Sequence, residues 1–271
     1  MMNGAASTFI HLSDTHFFPA GATTPHGLDP AANLRRVAEW VAAEGLAPTF
    51  FLISGDLSND GDPESYRHFA TALHALEARF GVPILLGLGN HDRRGPFRRL
   101  VLSEPVGDDD QTPYYYSRQI GGLRVLMLDS LLPGEIDGEL GAAQLAWLAE
   151  ELRAPTPGGD LVVLHHPVTP RGIPRAQEYP LRDAAALLAL TAQRPLLGIL
   201  GGHTHVSTAA LAGGTLAITA PSVAFQFDPT GRVGLRLIAG AGCNLCTIRD
   251  GQLLVNPIIL PGGGEVLAHL D

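Results

Sequence analysis

Five apolar stretches of this chain run directly into a side chain that can bind a metal ion. STFIHLSD reaches Asp14, TFFLISGD reaches Asp56, PILLGLGN reaches Asn90, DLVVLHHP reaches His165 and LLGILGGH reaches His203. Continuous apolar runs of this length, bounded by Gly, Asp and Pro, read as strands buried on both faces. Amphipathic helical patterns separate the first three of them, which demands a layered α/β arrangement. In a mostly parallel sheet the carboxyl ends of the strands lie along one edge, where loops are free to carry chemistry. The five ends are therefore expected to deliver their polar groups to one place.

The expected elements follow from pattern and punctuation. A helix over residues 29–45 has Asp29 as cap ahead of Pro30, with Gly45 at its end. A second covers 64–79 and a short one 97–102; two crossovers of this kind place the first three strands parallel. YYYSRQI and LRVLMLDS, joined by Gly121-Gly122, form a hairpin. Helices over 142–153 and 181–193 bracket the fourth metal-competent strand end. The tail, TAALAGG, LAITAPSV, VGLRLIAG, CNLCTIRD and LLVNPIIL, reads as β-meander. The segment 104–112, with Asp108, Asp109 and Asp110 in a row, is a solvated loop. No repeat or linker marks a boundary, so residues 1–271 are expected to form a single domain, with residues 206–271 completing the second sheet.

Composition closes several routes. At 271 residues and 45% hydrophobic content the chain can bury a large core. No apolar run reaches the roughly 18 residues of a membrane span. The N-terminus, MMNGAASTFIHLSD, lacks a basic region followed by a hydrophobic one, so no signal peptide is expected and the localisation expected is cytoplasmic. The formal charge of −9 argues against a nucleic-acid surface. All 18 basic residues are arginine, which removes lysine nucleophiles and Schiff bases. The two cysteines, Cys243 and Cys246, sit in what reads as a late strand rather than at a helix start. They are either two strand cysteines or a redox or accessory metal pair.

The full motifs are Asp14-Thr-His16, Gly55-Asp56, Gly89-Asn90-His91-Asp92, His165-His166-Pro167 and Gly202-His203-Thr204-His205. Any one alone is an ordinary turn; all five, in order and at strand ends, make a metal site. The donors are carboxylate, amide oxygen and imidazole without thiolate, which suits Mn, Fe, Zn or Co rather than a calcium cage or an iron–sulfur cluster. Seven ligands are too many for one tetrahedral ion and suit two.

These motifs, DTH, GD, GNHD, HHP and GHTH, resemble those of the calcineurin-like metallophosphoesterases over residues 7–222. The resemblance implies a four-layer αββα sandwich with a dinuclear centre of two divalent or trivalent transition-metal ions. By motif position Asp14, His16, Asp56 and His205 would hold one ion, and Asp56, Asn90, His165 and His203 the other, with Asp56 bridging. The resemblance points to His165 as the ligand of its motif, leaving His166 either a replacement ligand or a residue facing substrate. Two ions about 3.5–4 Å apart share a water and lower its pKa, so a bridging hydroxide attacks phosphorus in line with the departing oxygen. No Gly-x-Ser-x-Gly or Cys/His nucleophile is present to compete with that route. His91 is placed to protonate the leaving alkoxide or to stabilise charge, a role the resemblance also gives it. Asp92 either orients His91 or caps a helix.

The segments GDLSNDGDPESY and APSVAFQFDP look like those of the class III cyclic nucleotide phosphodiesterases and the related glycerophosphodiesterases. The expected substrate is a small phosphodiester, 3′,5′-cyclic AMP before others, giving 5′-AMP. The alternatives are a broad phosphodiesterase or phosphomonoesterase acting on glycerophosphodiesters or aryl esters, and, against the intact motif set, a non-catalytic scaffold. Phe225 and Phe227 either stack on a purine or pack in the core, and Arg93 and Arg94 either contact phosphate or begin a helix. Fe/Mn, Mn/Mn and Fe/Zn pairs stay open. The hairpin at 114–128 and the C-terminal meander offer edges that a homodimer can cover.

Overall fold

The computed structural model describes residues 7–22, 24–154, 156–170, 179–228, 235–261 and 263–270. The N-terminal stretch 1–6, on which the localisation expectation partly rests, and the first two residues of VGLRLIAG lie outside them. The elements run β1 (Ser7–Leu12), α1 (Pro30–Ala43), β2 (Phe51–Ile53), α2 (Pro63–Phe80), β3 (Ile84–Leu86), α3 (Arg94–Leu100), β4 (Tyr116–Ile120) and β5 (Leu123–Met127). They continue with α4 (Gly141–Glu151), β6 (Asp160–Val163), α5 (Ala184–Thr191), β7 (Gly198–Gly201), β8 (Ala209–Ala212) and β9 (Thr215–Thr219). The chain closes with β10 (Gln226–Asp228), β11 (Leu235–Ile238), β12 (Gly242–Arg249), β13 (Gln252–Ile259) and β14 (Val266–Leu270).

The helices start where side chains can serve their unpaired N–H groups. Asp29 accepts from Ala32 N at the head of α1, Asp62 accepts from Ser65 N at the head of α2, and a proline follows each cap. Strands β1, β2 and β3 are parallel, as the crossovers require. With β12 and β13 added antiparallel they make a sheet in the order β13-β12-β1-β2-β3. The second sheet runs β4-β5-β6-β7-β9-β8, parallel from β5 through β9 and antiparallel at both edges.

Strand periodicity converts these two sheets into four layers. In the first, Ile10, Leu12, Phe51, Ile53 and Leu86 turn outward into a core with Leu34, Val37, Phe69 and Leu73 of α1 and α2. Their neighbours Phe9, Leu52 and Leu85 turn inward and meet Val125, Met127, Leu161, Val163 and Leu200 of the second sheet. On the far side of that sheet Leu126, Val162 and Ile199 pack under Leu148 and Leu187 of α4 and α5. Burial on both faces explains the uninterrupted apolar runs, and each such side chain contributes roughly 1.5–3 kcal/mol. The layers are helices, sheet, sheet, helices: the αββα sandwich.

The C-terminal segment departs from expectation. Only β8 and β9 complete the second sheet; β12 and β13 join the first, and β10, β11 and β14 form a small sheet of their own. The reason lies in β1. It is buried on both faces from Phe9 to Leu12, and without a neighbour opposite β2 it would present an unpaired apolar edge. β12 supplies that neighbour in five register pairs from Ser7↔Ile248 to His11↔Asn244.

The cysteines ride on β12 three positions apart, hence on opposite faces. Cys243 packs in the outer helix-facing core and Cys246 in the core between the sheets. Both are free and buried, and burial pushes the Cys243 thiol up to about 12. They are strand cysteines, not a redox pair.

Candidate metal centre

Backbone hydrogen bonds stitch the strand ends into one floor. Asp14 N donates to Gly55 O (3.0 Å) and His16 N to Asp56 O (2.9 Å), which locks the loops after β1 and β2 together. In the second sheet Gly202 N donates to His165 O (2.9 Å), and the sheets are joined by Val223 N to Ser13 O (3.0 Å). Two glycines of the motifs are set by close approach. A Cβ on Gly89 would collide with the Asp56 carboxylate and lie 2.7 Å from the His165 ring, and one on Gly202 would run into Ser13 Oγ and the Asp14 carboxylate.

Six of the seven expected ligands with ionisable or imidazole side chains fall into two groups. Asp14, His16, Asp56 and His205 bring one donor atom each within 4.8 Å of one another, and Asp56, His165 and His203 do the same. Asp56 belongs to both. Asn90 stands beside the second group, its Oδ1 2.9 Å from His203 Nδ1. All but Asn90 are buried.

Each imidazole is aimed by its other nitrogen. His165 Nδ1 donates to Ser54 O (3.2 Å) and His205 Nδ1 to Phe225 O (3.1 Å), which turns both Nε2 atoms inward. There His165 Nε2 lies 3.3 Å from Asp56 Oδ2, and His205 Nε2 lies 3.3 Å from Asp14 Oδ1 and 3.0 Å from His16 Nε2. Two imidazole nitrogens face to face, with buried His165 Nε2 and His203 Nε2 lacking any hydrogen-bond partner, are polar atoms aimed at a common centre. A cation satisfies them all at once, so the donor set fits two metal ions.

Electrostatics agrees. Burial works against ionisation of Asp14 and Asp56, but His205 and His165 beside Asp14, and His165 and His91 beside Asp56, outweigh it and hold both carboxyls below their usual range. Burial pushes His16 down to about 3 and His203 well below the usual range, so both rings are neutral lone-pair donors. His165 goes the other way. Burial again opposes its charge, yet Asp56, then Asp14 and Asp92, lift it to about 9.

The backbone here is strained. Asp14, His16, Asp56, His203 and His205 all hold positive φ, between 43° and 69°. For residues other than glycine this costs roughly 1 kcal/mol or more each. Five of the seven expected ligands share a conformation that, among the described residues, only His26, Ser103 and Asp250 adopt besides glycines.

The neighbouring residues sort themselves differently from expectation. His91 is exposed, its Nδ1 donates to Asn59 O (2.5 Å), and its ring stands edge-on to His16 at 4.8 Å. Asp92 neither orients it nor caps α3. Its carboxylate is buried, accepts from Leu57 N, Ser58 N, Gly89 N and Tyr66 OH, and so clamps the loop of Asp56 to the loop of Asn90. Burial, with Asp56 nearby, pushes it up to about 6. His166 is buried with both ring nitrogens engaged: Nε2 donates to Ile136 O (2.9 Å), and Nδ1 accepts from Ser130 Oγ (2.8 Å). Arg94 is consumed by Asp129 (2.7 Å) and Leu131 O (2.6 Å). Phe225 and Phe227 flank His205 with ring centroids at 4.3 and 5.0 Å. Sequence reasoning missed Tyr66, Ser54 and the Phe225 carbonyl; backbone carbonyls carry no residue signature, so only the Asp and His motifs were visible.

Comparison with known proteins agrees with the geometry. The model of the calcineurin-like phosphoesterase family matches residues 7–207. A cAMP/cGMP dual specificity phosphodiesterase of Mycobacterium tuberculosis is 34% identical over 260 residues, covering 95% of this chain and 80% of that protein. A 3′,5′-cyclic adenosine monophosphate phosphodiesterase of Pseudomonas aeruginosa is 32% identical over 230 residues, 83% of this chain and 79% of its own. Among solved structures, a dimetal phosphatase from Danio rerio superposes with a TM-score of 0.61 at 16% identity, covering 92% of this chain and 98% of that one. The chain belongs to the calcineurin-like phosphoesterase family and is, as such, a metal-dependent phosphoester hydrolase.

Proposed function

We propose that the protein is a dinuclear phosphodiesterase that hydrolyses a small phosphodiester, 3′,5′-cyclic AMP before others, to 5′-AMP. The observation that carries this reading is the double membership of Asp56 in the two donor groups. In it Asp14, His16, Asp56 and His205 hold one ion, and Asp56, Asn90, His165 and His203 hold the second. When bound, such a pair supplies Lewis acidity that lowers the pKa of water and offsets charge on the phosphate oxygens.

The chain's own residues do the rest. The second-sheet histidines and first-sheet carboxylates would hold the ions against which the phosphate is placed. His91, with Nδ1–H committed to Asn59 O, presents Nε2 to the substrate. As water adds to phosphorus and the bond to the 3′-oxygen breaks, His91 in its imidazolium form gives that oxygen the Nε2 proton, and the proton shed by the water replaces it. Asp92 acts at a distance, by clamping the two loops that carry Asp56 and Asn90. A cleft of 350 Å³ beside Asn90 and His91 suits a small ligand rather than a polymer. The names of the two bacterial relatives favour a cyclic nucleotide over other diesters.

The test is kinetic: purified, manganese-loaded enzyme on cyclic AMP, glycerophosphocholine, bis-p-nitrophenyl phosphate and a phosphomonoester. Cyclic AMP is expected to give the highest kcat/KM. A value no better than that of the generic diester sinks the cyclic nucleotide reading and leaves a broad phosphodiesterase.

A further inference from the structure

The cleft beside the metal centre is lined by an arginine whose guanidinium has no partner among the described residues. Asn90 and His91 line it together with Arg93, Gln111, Leu131 and Pro133, and Asp60 and Asp92 line it as well. Of the seven expected ligands only Asn90 reaches it, so it lies to one side of the donor cluster. It is therefore placed for the organic part of an ester whose phosphate meets the metal ligands.

Its walls are built to stay where they are. Leu131 is pinned through its carbonyl by Arg94, and the same loop is tied by His166 to Ile136 O and Ser130. Arg93 is fixed from two sides. Its N–H donates to Tyr66 OH (2.7 Å), and its stem lies over Gly61, where φ is +69° and a Cβ would collide with Arg93 Cγ and Cδ. The neighbouring arginines 94, 98 and 99 each pair with a carboxylate. The Arg93 guanidinium has no hydrogen-bond or ion-pair partner among the described residues.

Leu131 and Pro133 offer apolar contact to a flat heterocycle, and Arg93 and Gln111 offer polar groups to its edge. The guanidinium fork matches two adjacent acceptors, such as O6 and N7 of guanine, whereas adenine presents an acceptor beside a donor, the pattern of an amide such as Gln111. We propose that Arg93 reads the nucleobase and raises turnover of 3′,5′-cyclic GMP relative to cyclic AMP. The inference rests on the cyclic nucleotide reading above.

The experiment compares kcat/KM for cyclic GMP and cyclic AMP in manganese-loaded wild type, Arg93→Gln and Arg93→Lys. The two nucleotides share ribose and phosphate, so any loss of folded or metal-loaded enzyme cancels in their ratio. The cyclic GMP to cyclic AMP ratio is expected to fall about tenfold or more in Arg93→Gln. Arg93→Lys, which keeps the stem over Gly61 and the charge but not the fork, should fall in the same direction and decides the matter if the glutamine variant does not fold. A ratio within about threefold of wild type, or a wild type that cleaves cyclic AMP and not cyclic GMP, overturns the assignment. A wild type inert on both nucleotides yet active on bis-p-nitrophenyl phosphate overturns it together with the cyclic nucleotide reading. Full inactivity of the wild type on cyclic nucleotides is thus distinguishable from a failed role for Arg93.

Discussion

Truncating His91 removes one imidazole and leaves every expected metal ligand in place, because its contact with Asp56 Oδ1 is through the backbone N–H at 2.9 Å. His91→Ala is therefore expected to retain both metals and lose about 10²- to 10⁴-fold in kcat. Metal analysis alongside steady-state kinetics checks this, and loss of an ion in parallel with rate would move His91 into the coordination sphere. At this scale the donors were legible because each sits in a short motif at the end of an apolar run. Asp92 was not, since its partners Leu57 and Ser58 are 35 and 34 positions away and are backbone amides. Nor could adjacency separate Arg93 from Arg94. One reaches the cleft while the other is buried against Asp129, a difference set by the pitch of the chain entering α3.

Among the elements, β1 carries a titratable group that the chemistry does not use. His11 is buried, sits between Ser54 Oγ (3.0 Å) and Asn244 Nδ2 (3.4 Å), and is pushed down to about 3 by burial. Below pH 6.5 the unfolded chain takes up a proton there that the folded chain refuses until about pH 3. Stability linked to His11 is thus whole above pH 6.5 and falls as pH drops through that window. Denaturant unfolding at pH 8 and pH 5 should show wild type losing more than His11→Gln; equal losses would remove His11 from the account. β12 yields a second expectation. With Cys243 and Cys246 in separate cores, a thiol reagent should modify neither in the native protein and both in denaturant. The strand itself was readable from CNLCTIRD, but its place beside β1 was not. That pairing joins residues more than 230 positions apart, and the need for it arises from a bare edge rather than from any local pattern.

For the whole molecule, the decisive fact is that the donors come from both sheets: Asp14, Asp56 and Asn90 follow strands of the first, His165, His203 and His205 strands of the second. Ions held between them act as a rivet across the seam. Chelation should lower the melting temperature, by an amount equivalent to about 4 kcal/mol where metal had been present at a thousandfold its Kd. Scanning calorimetry before and after a chelator checks it. A melting point indifferent to chelation would mean that the sheets are joined without help from the centre. Phe50→Ala, which opens a void on that seam, should cost roughly 3–5 kcal/mol and weaken metal retention as well. The left-handed residues under the donors have a consequence of their own. Asparagine visits that conformation more readily than histidine, because its short polar side chain can hydrogen-bond locally. His16→Asn, stripped of ions, should outlast its parent on heating while being useless as a catalyst. The awkward dihedrals are thus a cost in stability that the centre imposes on the main chain beneath it.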